Sequence, residues 1–211
     1  MQNELLFALW ETLYMVALST LFSGVFGFAL SIVMIITGTN GLRPNKPVYA
    51  LLNVIVNLGR SFPFIILMIA IIPLTRMIAG TSIGSTASIV PLTIAATPFV
   101  ARIMEGSLLE VDRGVIEAAR SFGASDWQII SRVMIKEAMP SIVLNCAVVA
   151  INLLGYSAMA GAVGGGGLGD LAIKYGYNRF QTDVMIYSVA ILIVIVQIIQ
   201  SIGNYVYEKI K

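Results

Sequence analysis

Long uncharged runs alternate with short charged ones along the chain, and the runs predict the architecture. No charge occurs from Thr12 to Leu42, and residues 13–36 are mostly apolar. Further apolar runs cover residues 48–74, interrupted by Arg60, then 85–101 with Pro91 and Pro98 inside, 138–164 and 184–206. A helix that crosses the hydrocarbon core of a bilayer needs ~20 such residues. Lipid offers no partner to an open backbone, so each run is predicted as a helix, and proline is tolerated where neighbours satisfy the freed carbonyl. The expected fold is an all-α integral membrane protein of five transmembrane helices in one domain, residues 1–211. On the first helix Ser19, Ser23, Gly27 and Ser31 fall on one stripe, which lets another helix approach closely.

One sizeable polar segment remains, residues 102–137. Its pattern predicts a helix–glycine–helix elbow between spans three and four. The first helix covers residues 114–122, with Asp112 as N-cap and Gly123 just past its end, where glycine accepts the left-handed conformation. Ser125 to Gln128 reads as a capping box for the second, which has Ser125 as N-cap and Gln128 at N3. Ile129, Ile130, Val133 and Met134 follow at helical spacing. A solvated connector explains the polarity. A docking knob for a soluble partner also explains why Trp127, Ile129 and Ile130 are more apolar than a free connector needs.

Composition narrows the chemistry. Of 211 residues, 58% are hydrophobic and 11% charged, against ~45–50% and ~25% in soluble domains. A soluble or disordered protein is excluded, and the length leaves no room for a soluble catalytic domain beside the spans. A net charge of +2 is too weak a bias to indicate nucleic acid. Histidine is absent, which removes the commonest general base and metal ligand. The single cysteine, Cys146, lies in an apolar run and reads as a packed small side chain. No Gly-Lys-Ser/Thr occurs, so no phosphate-binding loop is built here and any ATP would be bound by another chain. Glu4 and Glu11 precede the first run and no Lys or Arg does, so no cleavable signal is expected.

Basic residues favour the cytoplasm. Arg43, Lys46, Arg102, Arg113, Arg120, Arg132, Lys136, Lys209 and Lys211 are nine of the 13, and one orientation puts them all on the same side. That orientation has the N-terminus outside and the C-terminus cytoplasmic.

The elbow carries a resemblance. Glu117-Ala118-Ala119, with Gly123 beyond and Val133 and Ile135 further on, resembles the EAA loop of ABC importer permeases. The chain departs from that pattern at Lys136, where the family has proline; Pro140 follows. Arg60-Ser-Phe-Pro63 resembles the Arg-x-x-Pro element of the permease core. In order and spacing, the segments starting at Arg60, Gly80, Ile89, Gly155, Gly161 and Tyr175 resemble the permeases of methionine importers across nearly the whole chain. The resemblance implies a non-catalytic subunit that forms the translocation pathway for methionine. It would work as a homodimer in the bacterial cytoplasmic (inner) membrane. Two ATPase subunits would hold ATP and Mg and dock on the elbow at Glu117, Ala118, Ala119, Gly123, Ser125, Trp127, Ile129 and Ile130. An extracytoplasmic binding protein would deliver the substrate, and no cofactor would belong to this chain. A permease for another small solute, such as glycine betaine or a polar amino acid, is the alternative within the class. A secondary transporter or channel is the alternative outside it, but that usually needs a coupling acid in the membrane, and the five spans hold no Asp or Glu.

Three further features have competing readings. Asn145, Val149, Asn152, Tyr156, Met159 and Val163 follow alternating four- and three-residue steps, which keep a stripe on one face. The stripe reads as a packing seam or as the pathway, with Met159 as gate. Arg60 is either a charge deep in a span, functional by default, or the end of a surface helix near the headgroups. Gly164, Gly166 and Gly169 match a dinucleotide fingerprint, but that fingerprint needs a βαβ unit. The expected role is a flexible outer loop where a docking protein lies close to the backbone.

Overall fold

The computed structural model describes residues 2–211, and these are helical almost throughout, with no strand among them. Helix α1 spans Gln2–Thr37. It begins well before the uncharged run, because Glu4 accepts from Tyr175 Oη and Glu11 from the Gly167 N–H, so neither ends it. The chain then turns back at Gly38 and Gly41 into α2, Lys46–Ser61, whose N-cap Asn45 accepts from the Val48 N–H at 3.3 Å.

The second predicted span does not form one helix. Phe62 is extended at φ −75°, ψ 125°, because the residue before a proline is pushed out of the helical region. After Pro63 the chain re-enters as α3, Phe64–Ala70, bent by 101° from α2. Helix α4, Ile72–Ala79, ends on Gly80 at φ +75°. Four helices are long and apolar enough to cross a membrane, and the bent α2–α3 pair makes a fifth if counted as one span.

Helix α5, Ser85–Leu109, is longer than the apolar run 85–101. It continues because Arg102 and Glu105 satisfy one another and side chains of α2. The polar insert therefore starts after Leu109, and Glu105 belongs to a spanning helix, where the sequence suggested no acid. Pro91 and Pro98 lie inside this helix.

The insert forms α6 (Arg113–Ser121) and α7 (Asp126–Gln128), then a π-helical stretch Ile129–Met134 and α8 (Ile135–Glu137). This runs directly into α9, Met139–Gly161, with Pro140 in its first turn, where proline costs no hydrogen bond. A short α10 (Gly167–Leu171), a π-helical stretch Ala172–Tyr177 and α11 (Thr182–Ile210) complete the fold.

Helices α1, α5 and α9 form the centre, with Met15, Leu92, Val100, Leu153 and Leu168 fully buried between them. The small stripe of α1 packs as expected. Ser19, Ser23 and Ser31 have no exposed surface, and a Cβ on Gly27 would stand 2.6 Å from that of Val100. Helix α11 lies at the periphery and presents Ile186, Ile193, Ile198 and Ile202 outward.

Candidate functional site

Residues 112–128 form two capped helices joined at Gly123. Asp112 Oδ1 accepts from the Gly114 N–H at 2.7 Å and caps α6. The helix ends as Gly123, at φ +81°, donates to Arg120 O (2.9 Å) and Ala124 donates to Ala119 O (3.1 Å). Both arms of the capping box are present: the Gln128 N–H donates to Ser125 Oγ, and the Ser125 N–H donates to Gln128 Oε1 at 2.8 Å. Asp126 pairs with Arg43 at 2.5 Å and with Arg120 at 3.7 Å, tying the elbow to the α1–α2 turn.

The candidate coupling residues divide into two sets. Glu117, Ala118, Gly123, Ser125 and Trp127 are exposed. Ile129 and Ile130 are not: they are 0% and 3% exposed, packed with Ile35, Leu108, Val111 and Met134. Ala119 packs against the same cluster. These side chains anchor the elbow to the bundle, so as placed they offer nothing to a partner. The apolar surface that the elbow does present is one sequence reasoning missed. Val115, Ala118 and Phe122 share one face of α6, with Phe122 91% exposed. A phenylalanine just before the terminating glycine of a polar helix is the signal that could have found it.

A polar seam joins α2 to α5. Tyr49 Oη donates to Glu105 Oε1 (3.0 Å), and Arg102 donates to Glu105 Oε2 (2.8 Å), to Asn57 Oδ1 (3.0 Å) and to Asn53 Oδ1. Glu105 is 3% exposed. Arg60, in the last turn of α2, is exposed and has no hydrogen bond or ion pair among the described residues.

The stripe read from α9 lies on one face, but it is not open along its length. Asn145 Nδ2 donates to Ser107 Oγ at 2.7 Å, and Val149 is in the core. Tyr156 stacks on Phe64 with ring centroids 4.8 Å apart. Asn152 has its Oδ1 buried without a partner. Met159 is exposed. The open line of α9 instead runs through Val148, Gly155, Met159 and Ala162. The two lines share Met159, and Asn145 is satisfied inside the chain by Ser107.

The glycine-rich segment is a packing device. A Cβ on Gly169 would lie 2.3 Å from Ala158 O, and one on Gly161 2.2 Å from Asp170 N. The Gly167 N–H donates to Glu11 Oε2 and the Leu168 N–H to Thr12 Oγ1, at 2.9 and 2.8 Å. Glycine is needed here so that α10 can lie against α9 and α1, which replaces the expected flexible loop. Among the described residues no group of three or more His, Cys, Asp or Glu could hold a metal.

Long apolar helices packed as a bundle, with one capped and partly exposed polar segment, are those of a multi-pass membrane protein. Residues 27–210 match the family of binding-protein-dependent transport system inner membrane components, and the chain belongs to that family. It is 50% identical over 206 residues to the probable D-methionine transport system permease MetI of Vibrio cholerae, covering 98% of this chain and 92% of the relative. It is 43% identical over 204 residues to the methionine import permease MetP of Bacillus subtilis, covering 97% and 92%. Its backbone matches an inward-facing structure of the MetNI methionine ABC transporter with a TM-score of 0.98 and 42% identity, covering 100% of this chain and 98% of that one.

Proposed function

We propose that this chain is the membrane-spanning subunit of an ATP-driven methionine importer, acting as a homodimer in the cytoplasmic membrane with its N-terminus outside. The carrying observation is the elbow: a helix–glycine–helix with Glu117 and an apolar face exposed, anchored to α1 and α5 by buried Ile129 and Ile130. Identity of 50% to a methionine permease supports the choice of substrate. Each elbow would sit on an ATPase subunit that binds ATP and Mg. Closure of the two ATPases would pull the elbows together, and the anchoring cluster would pass that movement to α1, α5 and α9. A binding protein on the outer face would deliver methionine. Met159, flexible and apolar, lies on the open line of α9 and would close a dry constriction between two copies. The test is uptake of labelled methionine into proteoliposomes that hold this chain with its ATPase and binding protein. ATP-dependent uptake that disappears without the binding protein is the expected result. Uptake of a different solute, or uptake driven by an ion gradient alone, would reject the reading.

A further inference from the structure

The α2–α5 seam leaves one charge over. Tyr49, Asn53, Asn57 and Arg60 recur at helical spacing along one side of α2. The first three close on Glu105 and Arg102. Arg60 closes on nothing among the described residues and is exposed.

The packing of its neighbour fixes its level against α5. A Cβ on Gly59 would stand 2.5 Å from Pro98 Cγ, and Pro98 lies near the middle of the 25-residue α5. The rise along α2 agrees: at ~1.5 Å per residue, Arg60 is about 20 Å from Lys46. This favours the reading of a charge alongside the apolar part of the bundle.

An arginine cannot shed its proton to adapt, and a charge at mid-depth faces the bundle interior or water rather than lipid. The other side of α2 supplies the apolar surface, with Leu51, Val54 and Leu58 exposed by 61%, 53% and 61%. Helices α2, α3 and α9 contain no Asp or Glu, and the one buried acid of α5, Glu105, is held by Arg102 and Tyr49. No carboxylate of these helices is left to pair with Arg60.

We propose that Arg60 binds the α-carboxylate of the amino acid in transit. Its planar fork of donors matches a carboxylate in two parallel N–H···O bonds. Phe62, two residues on and 54% exposed, offers apolar surface to the rest of the solute. This deepens the importer reading and rests on it, adding a recognition step inside the membrane to the one made by the binding protein.

The experiment compares wild type, Arg60→Gln and Arg60→Lys in proteoliposomes with the ATPase and binding protein. It reads labelled methionine uptake, and assembly by size-exclusion chromatography. Arg60→Gln is expected to assemble as wild type and lose roughly tenfold or more in uptake, the scale of one charge-assisted hydrogen bond. Arg60→Lys is expected to recover much of it. Wild-type uptake by Arg60→Gln overturns the proposal. So does loss of assembly in that variant, which would make Arg60 a contact between subunits. If wild type imports a different amino acid from a full panel, the methionine reading fails while Arg60 is tested by the same variants on that amino acid. Import of no amino acid overturns both.

Discussion

Gly123 shows how much one backbone angle decides. Its φ is +81°, and a Cβ there would meet nothing within 4 Å, so any cost of a side chain is conformational alone, about 1–2 kcal/mol. Gly123→Val should therefore disturb the elbow without disturbing insertion, and Gly123→Asn, which tolerates the left-handed region, should preserve it. The measurement is ATP hydrolysis by the reconstituted complex on adding loaded binding protein: stimulated with Asn, flat with Val. Normal stimulation with Val would reduce the elbow to a connector. Gly169 is required for the opposite reason, since its φ is ordinary but a Cβ would strike Ala158 O at 2.3 Å. Both glycines stand out in the sequence, and the reading of Gly123 held because capping signals are local. The reading of Gly169 did not, because its partner lies on another helix.

The α2–α5 pair depends on a buried acid at the level of whole elements. Removing Glu105 leaves Arg102 without its counter-ion and Tyr49 without its acceptor. Breaking a buried pair from one side costs about 3–5 kcal/mol. Glu105→Ala should accordingly lower the thermal unfolding midpoint in detergent more than Glu105→Gln, which fills the same volume and keeps one of the two acceptor oxygens. Equal midpoints would show that α2 is held by its apolar contacts alone. This seam was not legible in the sequence. Charge gaps locate α9 and α11 well, because a helix wholly in lipid cannot hide an unpaired charge. They end α5 too early, because Arg102 and Glu105 neutralise each other across a turn and recruit Asn53 and Asn57 from a helix 45 or more positions away. The bend at Phe62 was written in the sequence as Pro63, but hydropathy runs straight through it.

At the scale of the molecule, the orientation is testable with single cysteines placed after Cys146 is replaced. Asn40, exposed in the α1–α2 turn, should react in intact cells only with membrane-permeant reagents, and Tyr177, 70% exposed, with impermeant ones. Impermeant labelling at position 40 would reverse the topology. The run from Asp126 to Gly161 has a further consequence. It is helical from end to end apart from the turn at Ala138, a path about 50 Å long at ~1.5 Å per residue. It is held at three levels: Ile129 and Ile130 are buried at one end, Val149 and Leu153 along the middle, and Ala160 and Gly161 at the other end. Packed contacts of this kind switch between discrete arrangements and do not deform smoothly. A helix seated in three of them cannot drift; it changes seat as a unit or not at all.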